Sequence, residues 1–292
     1  MKQYIVAEHL FSIEAPETLF GQMPNFTPFE VHEAAGKPIF TLTIHEPEKV
    51  LPSVKPEWET VYDDISEEDM PLLQIFRHSE GWVLLEAPDH RAPICLMLTM
   101  SPDFSSAHLY MLCNTNPRFA VDNATMLLFA FATASLSTLE VHASVTVRGD
   151  YGYLFLGKSG TGKSTHSQQW LKAFPDAWLL NDDNPIIRLK EDGVYVYGSP
   201  WSGKTPCYKN DVRRVGAFVK LLQAPYNKMH TLRLPEAYAY ILSSSSGLKI
   251  IPEIMDSLYA TMSRLVQTVP VYGLECLPDT AAAHLCAETV MK

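Results

Sequence analysis

Residues 157–165 read Gly-Lys-Ser-Gly-Thr-Gly-Lys-Ser-Thr and satisfy G-x-x-x-x-G-K-S/T at every fixed position. Those residue types at that spacing bind phosphate. Gly157, Gly160 and Gly162, with the small residues Ser159 and Thr161 between them, let backbone N–H groups curl around phosphate oxygens. Lys163 would reach the β- and γ-phosphates, and the Ser164 hydroxyl would ligate a divalent cation. Thr165 completes the cradle at the start of a helix, whose N-terminus adds partial positive charge. The expected ligands are ATP or a related nucleoside triphosphate, with Mg²⁺ or Mn²⁺.

A second cluster follows. Residues 177–180, Ala-Trp-Leu-Leu, run into Asn181-Asp182-Asp183-Asn184-Pro185. In an open α/β sheet, ligands bind outside the carboxyl ends of the strands, so Asp182 and Asp183 fall where a phosphate site would need them. One carboxylate would hold the metal, and the other would accept the proton of an attacking hydroxyl or water. An Asx-rich turn without chemistry has the same composition. Residues 198–206, Gly-Ser-Pro-Trp-Ser-Gly-Lys-Thr-Pro, make a shaped loop. There Trp201 would stack on a base or pack beneath it, and Lys204 would neutralise a transferring phosphoryl group. Arg213 and Arg214 would either meet an anionic substrate or lie on a solvated face.

Local elements must position these groups. Residues 151–156 read as a buried strand feeding the loop, and residues 164–174 as the helix leaving it, with Trp170, Leu171 and Phe174 on one face. Residues 141–147 form another strand. Arg148-Gly149-Asp150 is too short for a parallel crossover of about a dozen residues, so the two strands should pair antiparallel. Residues 186–189 and 194–197 flank Asp192-Gly193, which predicts a β-hairpin where many nucleotide-binding folds place a helix.

Val141-His142-Ala-Ser, the loop at 157–165 and Leu179-Leu-Asn-Asp-Asp183 together resemble the phosphoenolpyruvate carboxykinase and HPr kinase/phosphorylase superfamily. The resemblance is specific over residues 140–205, loose beyond them, and hardly touches residues 1–120. It implies an α/β fold with a mixed-sheet core of carboxykinase/HPr kinase type. It also implies roles: Lys163 as the phosphate-loop lysine, Ser164 as the metal-binding hydroxyl, and Asp182 and Asp183 as paired acids that divide base work and metal binding, with Asp183 on the metal. His142 matches a histidine beside the phosphates or metal. The chain is far shorter than a carboxykinase. It shows no arginine-rich oxaloacetate-binding segment and no C-terminal signature for a protein substrate, so the resemblance does not name the acceptor.

The remaining residues bound the reading. The chain has 292 residues, 47% of them apolar, with a net charge of −10 from 23 basic and 33 acidic side chains. It carries no basic footprint for nucleic acid. Cysteines at 95, 113, 207, 276 and 286 have no metal-site spacing and suit buried thiols in a reducing cytosol. Residues 1–120 read as a β-rich domain, with strands at 40–44, 81–85, 94–98 and 107–112 around an acidic, proline-rich loop at 46–70. Residues 121–292 read as the nucleotide-binding, kinase-like domain. Glu8 and His9 interrupt the apolar start before a leader develops. The apolar stretch 126–139 is short for a bilayer and reads as a buried helix capped by Asp122 or Asn123. Downstream, a strand is expected at 215–222, a flexible loop or lid at 243–247, and a helix at 252–266. A strand at 269–277 and a last helix capped by Asp279 complete the chain.

The function expected from this is a cytoplasmic, Mg-requiring, ATP-dependent kinase acting on a hydroxyl of a small molecule or a protein serine. No nucleic-acid or membrane partner is expected, and a homo-oligomer is left open. The alternatives are a non-catalytic nucleotide sensor and carboxykinase-like or ATPase chemistry.

Overall fold

Alternating apolar runs and turn signals build two large mixed sheets with helices, an α/β fold whose N-terminal region is β-rich. The computed structural model describes residues 1–33, 36–63, 72–203, 205–246 and 251–292. Met1–Ala132, with Leu248–Pro252, forms one compact unit, and Thr133–Gly247 with Glu253–Lys292 forms the other. The boundary drawn from the sequence at 120/121 lies inside the helix Pro117–Thr133.

In the first unit, nine strands pair in the order Glu30–Val31, Lys2–Val6, His9–Glu14, Thr41–Ile44, Ser106–Met111, Leu96–Met100, Gly81–Ala87, Leu72–His78 and Glu59–Asp63. The four strands read from the sequence are all among them. Glu59–Asp63, expected within an acidic loop, is an edge strand, where its polar residues keep one side wet. Residues 64–70 of that acidic stretch lie outside the described residues. Phe129 of the helix packs edge-on against Phe11 and His9 of the sheet. This helix begins at Pro117, not near 126; Asn116 accepts from the Arg118 N–H at its start, so Asp122 and Asn123 are interior, not caps. With the turn that follows it, the helix spans 20 residues, Pro117–Leu136, whose most apolar 18 have a mean hydropathy of 1.4, long and apolar enough to cross a bilayer by length and composition alone. Of its most apolar 18 residues, 56% are buried inside the fold, and the core helix of a globular protein has the same character.

Glu86 lies inside the fully buried strand Gly81–Ala87, and burial raises its pKa to about 8 against the opposing hydrogen bond from Asn123. The folded state therefore holds a proton that the unfolded state has released between the ordinary carboxyl range and pH 8. The resulting stability is complete at acid pH and is lost as pH rises through about 8. Glu86→Gln should remove this dependence, gaining on the order of 3 kcal/mol over wild type at pH 8.5 relative to pH 5. Denaturant unfolding at the two pH values measures it; identical pH dependence in both proteins would refute it.

The second unit contains β1 (Thr138–Val141), β2 (Ala143–Arg148), β3 (Tyr151–Leu156), α1 (Lys163–Ala173), β4 (Trp178–Asp183), β5 (Ile186–Lys190) and β6 (Gly193–Tyr197). It continues with β7 (Val212–Gln223), β8 (Lys228–Thr231), α2 (Leu234–Ser244), β9 (Ser245–Ser246), α3 (Pro252–Thr268), β10 (Val271–Cys276) and α4 (Thr280–Val290). The strand order is β4-β2-β3-β7-β6-β5-β1-β9, with β10 also on β7 and β8 on β10. As the short Arg148-Gly149-Asp150 link required, β2 and β3 pair antiparallel, Arg148 opposite Tyr151. The Asp192-Gly193 turn joins β5 and β6 as a hairpin, and no helix intervenes. Asp279 caps α4 by accepting from the Ala282 N–H at 2.8 Å.

Strands β3, β7 and β10 run parallel, so their carboxyl ends share one edge. The pleat then sorts their side chains. Tyr153, Phe155, Ala217, Val219 and Leu221 join Trp170 of α1 and Cys286 of α4 in one buried core. The intervening residues, Lys220 among them, face the other way. The segment 243–247, expected as a loop or lid, instead ends α2 and forms β9, which pairs with β1 and leaves its backbone groups satisfied; Gly247 lies outside the described residues. The sequence analysis places no helix at α2, although Leu234, Ala237, Tyr238 and Ile241 stand at helical spacing and Ala237 and Ile241 are buried.

Candidate functional site

The glycine-rich loop leaves the carboxyl end of β3 and enters α1. Gly160 (φ 78°) and Gly162 (φ 104°) occupy the left-handed region that side chains disfavour. Thr161 closes the turn, its hydroxyl donating to the Lys158 carbonyl at 2.6 Å. From the end of β7, the Gln223 amide donates to the Gly160 carbonyl at 3.1 Å. No side chain caps α1, which leaves its first N–H groups directed at the loop's concavity. The helix is held to the sheet by Trp170, which is fully buried, and by Ser167, whose hydroxyl meets that of Ser144 at 2.6 Å. His166 sits between Phe155 and Trp170; burial pushes its pKa down to about 4, so it is a neutral core imidazole accepting from the Trp170 indole N–H.

A cleft of about 500 Å³ brings the predicted residues together. Ser159, Gly160, Gly162, Lys163, Ser164 and Thr165 line one side. Asp182, Asp183 and His142 line the other, with Gly203 at its rim. Gly157 and Thr161 lie on adjoining walls of the same loop. Lys204 lies outside the described residues.

The centre of the cleft is a chain of polar contacts. Lys163 Nζ lies 2.7 Å from His142 Nε2 and donates to the Gly157 carbonyl at 2.9 Å. His142 Nδ1 lies 3.1 Å from an Asp183 carboxylate oxygen. One tautomer satisfies both: Lys163 donates to Nε2, and Nδ1–H donates to Asp183. Burial lowers the Lys163 pKa, while Asp183 and Asp182 oppose that shift and favour the charged amine. Asp182 is 5% exposed, and neither of its carboxylate oxygens has a hydrogen-bond partner among the described residues.

The acidic pair is a strand end, not a free turn. Asp182 and Asp183 stand opposite Ser144 and Ala143 of β2. Asn181, fully buried, aims them: its carbonyl accepts from the Asp183 N–H at 2.9 Å, and its amide donates to Ser199 Oγ and the Trp201 carbonyl. Asn181 and Ser199 had been read only as turn residues. Their signal was the run of short polar side chains beside the acids, which cannot be separated by composition from a solvated turn. Trp201 is 3% exposed, and its backbone carbonyl accepts from the Asn181 amide. Arg213 pairs with Asp211 and stacks on Trp178, and Arg214 pairs with Asp192. Both sit at the amino end of β7, away from the cleft.

Ser164, Asp182 and Asp183 offer hard oxygen donors, and His142 adds an imidazole. This set fits Mg²⁺ or Mn²⁺ when phosphate oxygens and water supply the remaining ligands. Among the described residues, no group of three His, Cys, Asp or Glu side chains is placed to hold a metal unaided.

No family model matches the chain, and no curated protein does. Among solved structures, the Hpr(Ser) kinase/phosphatase from Coxiella burnetii is 12% identical. It aligns with a TM-score of 0.30 over 52% of this chain and 87% of that one. The likeness is too slight to carry a functional reading.

Proposed function

We propose that the second unit is an ATP-dependent phosphotransferase of HPr kinase type, cytoplasmic, that transfers a γ-phosphoryl group to a hydroxyl. One observation carries this reading: a glycine-rich loop with its lysine, and a buried carboxylate with no hydrogen-bond donor among the described residues, line a single cleft. A structural carboxylate would be expected to have donors, because an uncompensated buried charge costs several kcal/mol.

Lys163 and the loop N–H groups would bind the phosphates, and α1 would add its positive end. Ser164 and Asp183 would hold a divalent cation, which neutralises charge on the phosphate oxygens, and His142 would join them once Lys163 leaves its Nε2 for the phosphates. Asp182 would accept the hydroxyl proton as the new bond to phosphorus forms. Its free oxygens suit that role, and Asn181 holds the strand end that carries it. The His142–Asp183 contact keeps the imidazole in one orientation, and Lys163 stays charged beside two carboxylates.

The test is ATP consumption by purified protein. Turnover should require Mg²⁺ and rise when a fractionated metabolite or protein pool is added. Binding of ATP with no turnover in any pool would favour a nucleotide sensor, and acceptor-independent hydrolysis would favour an ATPase.

A further inference from the structure

We propose that the lysine-lined cleft beside the phosphate loop is the acceptor site, and that it takes a small molecule carrying a carboxylate or phosphate group beside the hydroxyl to be phosphorylated. This rests on the kinase reading above.

Two further cavities flank the phosphate cleft. One, about 550 Å³, lies on the α1 side between Thr165, Leu221, Pro225 and Pro278. Among the described residues, no Asp, Glu, Lys or Arg lines it, and the His166 at its wall is neutral. The other, about 580 Å³, is lined by Lys158, Lys220, Tyr240 and Ser243, and among the described residues no acidic side chain lines it. Gly160 and Thr165 border both the uncharged cavity and the phosphate cleft. His142 borders both the phosphate cleft and the lysine cavity. Thr161 and Leu221 border both the uncharged cavity and the lysine cavity, so each of the three adjoins the other two.

Phosphoryl transfer requires the attacking and leaving oxygens to be roughly in line. The uncharged cavity suits a nucleoside. The lysine cavity, which adjoins the phosphate cleft at His142, is then the place left for the acceptor. Its charge is not explained by composition, since the chain carries a net charge of −10. Lys220 sits near the carboxyl end of β7, between Leu156 and Gly273 on neighbouring strands, where an apolar residue would cost nothing to desolvate. Its ammonium lies 3.7 Å from the Tyr240 ring centroid, which holds it over the cavity in the absence of a counter-anion. The Ser244 carbonyl accepts from the His142 N–H at 2.7 Å, tying this wall to the catalytic cleft. The volume lies within the range of small-molecule sites, about 300–1,000 Å³.

With the anionic group on Lys158 and Lys220, the acceptor hydroxyl attacks the γ-phosphorus. Its O–P bond forms as the bridging P–O bond breaks, the electron pair leaves with the nucleoside diphosphate, and the hydroxyl proton passes to Asp182. The products are a phosphate monoester and the diphosphate.

The experiment is calorimetric titration of the full chain, saturated with MgADP, with glycerol, glycerate, glycerol 3-phosphate and glucose 6-phosphate. At least one anionic compound should bind and glycerol should not. Lys220→Met should weaken that binding about tenfold or more, and Lys220→Arg should restore most of it. Thermal stabilisation by MgADP should survive in Lys220→Met, which shows that the variant is folded. Failure of every anion to bind, equal binding of glycerol, or unchanged affinity in Lys220→Met overturns the acceptor site while leaving nucleotide binding intact. Absence of MgADP stabilisation in the wild-type protein overturns the kinase reading itself.

Discussion

Asp182→Asn is expected to slow phosphoryl transfer by ~10²-fold or more while nucleotide affinity changes only a few-fold. The amide keeps the shape of the side chain and removes its capacity to take the hydroxyl proton. Asp182 is buried with both oxygens unpartnered, so the substitution breaks no hydrogen bond of the resting site. Asp183→Asn should behave differently. It disturbs the contact to His142 Nδ1 and is expected to raise the Mg²⁺ concentration needed for half-maximal rate along with lowering the rate. His142→Ala should share that metal dependence in milder form. Rapid-quench turnover across a Mg²⁺ series separates the three. Wild-type rates in both aspartate variants would reduce the pair to a structural strand end.

Lys163→Ala is expected to abolish stabilisation by MgATP. A ligand at a hundred times its dissociation constant stabilises by about 2.7 kcal/mol, on the order of 5 °C or more in midpoint for a unit of this size. Lys163 contacts His142 and the Gly157 carbonyl, and both aspartates act on its charge. Differential scanning fluorimetry with and without MgATP reads the effect. Equal stabilisation of wild type and variant would remove the loop as the nucleotide's site. The unliganded variant should unfold close to wild type, because α1 is anchored by Trp170 and Ser167 and not by the lysine.

Much of this was legible locally. The loop needs left-handed backbone at Gly160 and Gly162, and only glycine adopts it freely, so spacing alone marks the turn. The β2–β3 and β5–β6 pairings followed from links too short for any crossover. Other features were decided by tertiary context. The helix at Pro117–Thr133 starts well before the apolar stretch that signals it, because Asp122 accepts from the Asn25 amide and Asn123 donates to Glu86, so both polar side chains are satisfied within the fold. Segment 243–247 carries loop composition, yet β1 offers Ser245 and Ser246 a strand edge, and unpaired backbone is costlier than poor strand propensity.

The sequence by itself determined the chemistry on offer: a phosphate-binding loop, a lysine, a hydroxyl, two carboxylates and a histidine, each set by residue type and by spacing within a few residues. Only the tertiary structure decided that these groups face one cleft, that Asp183 and Lys163 meet through His142, and that Asp182 is left without a donor. It also decided that Lys220 joins Lys158 in the lining of one cavity beside the phosphate cleft. The physical reason is range. Backbone conformation is fixed by neighbours a few residues away, whereas the strand order that brings β4, β2, β3 and β7 side by side comes from burying Trp170, Phe155, Val219 and Cys286 in one core, and those residues are scattered along the chain.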